Sequence, residues 1–517
     1  MDLFIKLAML AVFFGMTIGI GLYCRKHATD VNGFVLGGRS VGPWLTAFAY
    51  GTSYFSAVVF VGYAGQFGWK YGVAATWAGI GNALLGSLLA WSVLGRRTRV
   101  MTQHLDSATM PQFFQSRFDS KALKLAASAI IFIFLIPYTA SLYNGLSRLF
   151  GMAFDIDYSV CVIVMAILTG IYVIAGGYMA TAINDFIQGI IMIGGIIAVI
   201  AAVLKGQGGF LEALNKLGQV SDPAVSETPG IFASFFGPDP VNLLGVVILT
   251  SLGTWGLPQM VQKFYAIKSE QAISKGMIIS TIFATLVAGG CYFLGGFGRL
   301  FDVDVATQGY DAVVPTILSG LPTILIAVVI VLVLAASMST LSSLVLTSSS
   351  TLTLDFIKGS IVKKMDEKKQ LLCMRALIVV FIAISVVLAI VQYKSNVTFI
   401  AQLMGVSWGA LAGAFLAPFL FGLYWKKATR ASVWCSFAFS TVVMLANTVA
   451  KPMFPAMLQS PINAGAFCMI AGLIIVPVVS LVTPKMDKAY VDQVFSCYDR
   501  QVTVNVTDSI GDTQSQK

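Results

Sequence analysis

Between Ser337 and Thr353 eleven residues carry hydroxyls in an otherwise apolar run, and no charged residue follows until Asp355. Ser339, Ser342 and Ser343 stand at i, i+3 and i+4, so a helix brings them to one face, with Thr340 beside them. Oxygens without charge suit a hard monovalent cation. A divalent ion draws several carboxylates, whereas a sodium-like ion takes a shell of neutral oxygens and at most one countercharge. Ser348, Ser349, Ser350 and Thr351 need no such role, because hydroxyls in membrane helices commonly bond their own backbone or a neighbouring helix. Asp185, in "TAINDFIQG", lies deep in an apolar run, and an ionisable group there is a functional candidate.

A cation shell also wants backbone carbonyls, which a helix yields only where it is broken, and lipid tolerates a break only around a cavity. Two segments look breakable. "FAYGTSYFSAVVFVGYAGQFG" (48–68) holds Gly51, Gly62 and Gly65 around Thr52, Ser53 and Ser56. "ILTSLGTWGLPQMVQ" (248–262) is interrupted by Gly253, Gly256 and Pro258. They lie about five helices apart, and paired interrupted helices in two halves point to a transporter site.

The elements that must position these residues are membrane helices. Of 517 residues, 57% are hydrophobic and 11% charged, less than half the roughly 25% of a soluble domain. About thirteen runs reach the ~20 apolar residues that a spanning helix needs. With the N-terminus outside and the C-terminus inside, about three quarters of the 33 Lys and Arg fall in inner loops, among them Lys263, Lys268 and Lys275. The net charge of +10 is then mostly topology, and no separate basic domain points to nucleic acid. The expected organisation is a first helix and inner loop (1–43), a five-helix block (44–204), an outer loop (205–240), a second five-helix block (241–424), two further helices (425–484) and a polar, flexible cytoplasmic tail (485–517). The first segment is expected to be a retained helix, since no small-x-small cleavage site precedes Arg25.

Other classes lack their residues. Both histidines, His27 and His104, fall in inner loops, and no HExxH, GxSxG or intramembrane carboxylate pair serves an enzyme. The seven cysteines are scattered without CxxC and read as small core residues. A channel wants a continuous polar lining or rings of charge, and a membrane sensor wants a signalling domain where this chain has its short tail.

Several motifs together resemble the sodium:solute symporter family. They are "FVLGGRS" (34–40) with "GPWLTAFA" (42–49), "IAGGYMATAINDFIQG" (174–189), "GLPQMVQKFYAIKS" (256–269) and "AASMSTLSS" (335–343). The third is similar to the family's GG-x-x-A…D signature, with Tyr178 where Leu, Met or Phe is usual. The resemblance covers roughly residues 30–425. It implies an all-α, LeuT-type inverted-repeat bundle in the cell membrane, with alternating access and sodium as coupling ion, and no other cofactor. Carried over residue by residue, the shared sodium site falls on Thr52, Phe55, Ala336, Ser339 and Thr340. A second sodium site found in some members falls on Asp185, Ser342 and Ser343. The family's proline carriers hold an Asp where this chain has Tyr54, and a Trp and a Tyr where it has Thr250 and Thr254, while "GLPQ" resembles the pantothenate branch. Candidate solute contacts are Tyr54, Ser56, Trp77, Tyr138, Asn144, Thr254, Trp255 and Gln259; Thr254 and Trp255 are expected to face solute because Pro258 and Gly256 open the helix there. The solute (a vitamin, carboxylate or amino acid), one sodium or two, and the oligomeric state stay open at this point.

Overall fold

The computed structural model describes residues 2–154, 157–358, 360–362, 364–395 and 400–499. These residues form helices and no strand. In chain order the main helices are α1 (Asp2–Cys24), α2 (Pro43–Tyr54), α3 (58–71), α4 (76–104), α5 (Lys121–Phe154), α6 (Tyr158–Gly206), α7 (Pro240–Gly256), α8 (Pro258–Ala266), α9 (270–295), α10 (Thr323–Thr351), α11 (Glu367–Ser395), α12 (Ile400–Tyr424), α13 (Arg430–Val449), α14 (Pro461–Val482) and α15 (Lys488–Phe495).

Ten stretches among the described residues are long and apolar enough to cross a membrane, and the pair α7 and α8, bent by 45°, adds an eleventh. Two of the ten are too long for one crossing. The 49 residues of α6 would run about 74 Å at ~1.5 Å per residue, against a hydrocarbon core of ~30 Å. Gly177, at φ 55°, divides them. Gly72, at φ 62°, likewise separates α3 from α4. Both positions need the left-handed backbone that glycine takes without steric cost.

The two expected interruptions are present, but not at their glycines. The first falls at Phe55, extended at φ −84°, ψ 118°, and the helix restarts where Ser56 Oγ accepts from Val58 N at 3.2 Å. The second falls at Leu257, φ −77°, ψ 123°, because the residue before a proline is pushed out of the helical region. Gly51, Gly62, Gly65 and Gly253 stay within helical turns, and Gly256 closes α7. Their role is close packing: a Cβ at Gly51 would lie 2.4 Å from the Phe283 ring, and one at Gly253 2.5 Å from Trp408.

Glycines also bind one group of helices together. A Cβ at Gly68 would sit 2.0 Å from the Gly295 carbonyl oxygen, and one at Gly79 2.4 Å from Gly289 Cα. Thus α3 and α4 meet α9 backbone to backbone, while α4 packs on α7 through Gly81 and Gly86 against Ser251. The hydroxyl-rich α10 belongs to a different group and is sheathed by α5, α6 and α11.

On the side expected to be cytoplasmic, α2 and α8 lie together. Val41 N donates to Ala266 O at 3.2 Å and Lys268 N to Val41 O at 3.0 Å. Arg39, in the left-handed region at φ 53°, spans this junction and donates to Tyr265 O (3.3 Å), Thr102 O (3.4 Å) and Ser107 O (2.7 Å).

Two segments outside the expected spans carry helices. The outer stretch 205–240 contains the helix Phe210–Gln219. The tail carries α15, docked on the bundle; residues 500–517 lie outside the described residues.

Candidate functional site

The first interruption meets α10 at its hydroxyls. Thr340 Oγ1 lies 3.0 Å from Thr52 O, 3.3 Å from Phe55 O and 3.1 Å from Ala336 O. Ser339 Oγ lies 3.2 Å from Thr52 O and 3.0 Å from Ala336 O. The extended backbone at Phe55 turns the Thr52 and Phe55 carbonyls away from helical partners and toward these hydroxyls. All five residues are fully buried. The five oxygens expected to surround a sodium ion are therefore gathered in one dry place, three from α10 and two from the end of α2. Nothing in the group carries charge.

The residues expected around a second ion meet a different neighbour. Asp185 and Ser343 are buried side by side with Lys263, which the inner-loop assignment had placed at the surface. The side chain of Lys263 is only 2% exposed, and its Nζ lies 3.9 Å from Asp185 Oδ2. It donates to Ser343 Oγ at 3.0 Å, and its ammonium sits 5.1 Å from the Tyr178 ring centroid. Ser343 Oγ is also 2.9 Å from Ser53 Oγ. Ser342 turns along its own helix, donating to Ser339 O at 2.8 Å. Lys263 was misplaced because a helix restarting at Pro258 buries its second turn, whereas the Lys-containing stretch 263–275 reads from composition as one inner loop.

The candidate solute contacts divide. Tyr138 and Ser56 lie together beside Trp408, close to the first interruption; the Tyr138 and Trp408 rings stand 5.9 Å apart. Tyr138 Oη, Trp408 Nε1 and both amide atoms of Gln259 are buried without a hydrogen-bond partner. Tyr63 and Tyr292, which the sequence reading did not single out, are the same, and Tyr63 neighbours both Tyr138 and Tyr292.

Thr254 and Trp255 instead face α4. Thr254 Oγ1 donates to Gly86 O at 2.9 Å and Trp255 Nε1 to Leu85 O at 2.9 Å. Wide, π-type turns at 82–89 free such carbonyls from regular pairing. Trp77 lies at the outer surface, donating to Phe235 O at 2.9 Å. Asn144 accepts from Tyr158. The Tyr54 side chain lies outside the described residues.

The chain matches the sodium:solute symporter family over residues 34–437. It is 31% identical to a sodium/proline symporter of Staphylococcus aureus (strain JH9) over 498 residues, covering 93% of this chain and 92% of that one. In fold it resembles a sodium-coupled sialic acid symporter solved in a substrate-bound, outward-open state, with TM-score 0.74 at 17% identity, covering 93% of this chain and 98% of that one. The inward-facing transporter Mhp1 matches at TM-score 0.50 and 13% identity, over 90% and 96% of the two chains. The chain thus belongs to the sodium:solute symporter family, as a multi-pass membrane protein that couples sodium to the uptake of a small organic solute.

Proposed function

We propose that the coupling sodium is held by the carbonyls of Thr52, Phe55 and Ala336 with the hydroxyls of Ser339 and Thr340, and that a solute bearing a carboxylate is held next to it. The single observation that carries the sodium assignment is the convergence of these five buried oxygens at 3.0–3.3 Å on the interruption between α2 and α3. For each ion that moves down ~100 mV the gain is about 2.3 kcal/mol, about a fifty-fold accumulation of solute.

The solute assignment rests on the polar groups left unpaired at the interruptions. Tyr63, Tyr138, Trp408 and Gln259 present hydroxyls, an indole N–H and an amide from buried positions, without a charged side chain among them. Both α3 and α8 begin at an interruption, so their positive ends face it and favour an anionic group. The proline symporters among the relatives agree with an amino acid or similar small acid, while Tyr54, Thr250 and Thr254 depart from the proline carriers' pattern and point to a different member of that class. The chain acts as a carrier, with no catalytic step assigned to any residue.

The test is uptake into proteoliposomes under an inward sodium gradient, comparing small amino acids, monocarboxylates and acid vitamins with their methyl esters. Sodium-dependent uptake of one acid and none of its ester is expected. Carriage of the ester at the same rate removes the carboxylate assignment. Tyr138→Phe should raise KM for the carried acid about five-fold, as one lost hydrogen bond of ~1 kcal/mol implies, and leave sodium activation in place.

A further inference from the structure

Lys263 and Asp185 form a buried ion pair from separate helices, α8 and the second part of α6. The ammonium has three donors: one reaches Ser343 Oγ at 3.0 Å, and the Asp185 carboxylate at 3.9 Å and the Tyr178 ring face at 5.1 Å complete its surroundings. Asp185 and Ser343 are two of the three groups that the family resemblance gives to a second sodium ion. Ser342, the other expected ligand, donates along its own helix to Ser339 O.

Both Asp185 carboxylate oxygens are buried without a hydrogen-bond partner, and a buried acid so placed stays ionised only beside a cation. Here one is already attached to the chain. A sodium ion added to the same acid would lie within a few ångströms of the ammonium, in a dry setting where like charges repel strongly. We infer that Lys263 is the resident, covalently tethered cation of the second site, so that this chain binds and moves one sodium ion per solute. The inference rests on the first site being the five-oxygen cluster at Thr52. It makes Lys263 a positioning residue for coupling: the counterion of Asp185 stays with the protein and does not travel with the solute.

The experiment is equilibrium binding of radioactive sodium to the purified full chain in detergent, without solute. The wild type should bind one ion with a Hill slope of one. Lys263→Met strands the Asp185 carboxylate and should admit a second ion, giving two. The neutral pair Lys263→Met with Asp185→Asn should return the count to one. Two ions in the wild type, falling to one in the neutral pair, would overturn the inference, and so would a folded Lys263→Met that still binds one. Should Lys263→Met alone fail to fold, the wild type and the neutral pair decide by themselves. Ser339→Ala with Thr340→Ala separates the two readings. Loss of the single ion supports the five-oxygen site. An unchanged count refutes that site, and no sodium bound by the wild type refutes both readings.

Discussion

Ser339 and Thr340 contribute two of the five proposed sodium oxygens, and the next hydroxyls along α10 are engaged elsewhere, Ser342 with Ser339 O and Ser343 with Lys263 and Ser53. Ser339→Ala with Thr340→Ala is therefore expected to raise half-saturating sodium at least ten-fold, since each lost oxygen at a dry site costs on the order of 1–3 kcal/mol. Sodium activation of uptake at matched expression checks this, and an unchanged half-saturation removes the assignment. These two residues were legible in the sequence because their chemistry sits in the side chain. Thr52, Phe55 and Ala336 act through carbonyls, which every residue has, so only the family resemblance marked them. Lys263 was illegible for another reason. Nothing in its own residue type separates it from Lys268, five positions on; only the bend at Leu257 and the packing of α8 do.

At the scale of elements, the breaks were foreseen, while the partners of the side chains around them were not. Pro258 fixes the second one by a local rule, but the glycines nearby serve packing, and no local rule says which face of α7 meets α4. That is why the bonds of Thr254 to Gly86 O and of Trp255 to Leu85 O were not foreseen. The contact of α2 with α8 carries its own expectation. Arg39 ties the chain ahead of α2 to Thr102, Ser107 and Tyr265, while holding a strained left-handed backbone of its own. Arg39→Ala should loosen the cytoplasmic closure and favour the inward-open state. A cysteine at Gln262, buried between α8 and α10 with its Oε1 accepting from Thr347 at 2.8 Å, should then be labelled several-fold faster by a water-soluble maleimide. The exposed Cys435 is replaced in both backgrounds. Equal labelling with and without Arg39 would show that the closure does not depend on it.

For the whole molecule, the C-terminal segment acts as a clamp. The guanidinium of Arg117 donates to Gly422 O (2.8 Å) and Trp425 O (3.0 Å) and lies 4.8 Å from both the Phe118 and Phe495 rings. Burial pushes it down to about 10, which leaves it charged at neutral pH. Lys426 pairs with Asp492 at 2.8 Å, and Arg97 lies between the Tyr424 and Tyr498 rings at 4.2 and 4.4 Å. Removing residues 485–517 should strip Phe495 from Arg117, Asp492 from Lys426 and Tyr498 from Arg97 and lower Tm by a few degrees, whereas removing only 500–517 should not. Equal Tm values for the two truncations would mean that the docked helix adds nothing. The larger division of the molecule sets something else. The glycine-packed group of α3, α4, α7 and α9 supports the interruption that carries Thr52 and Phe55, while Ala336, Ser339 and Thr340 ride on α10 in the other group. The proposed sodium would have its shell shared between these two groups, and its departure would then require them to part. Its dwell time is then a clock for the conformational cycle, and the rate at which bound radioactive sodium exchanges with the bath should slow in step with anything that slows the opening.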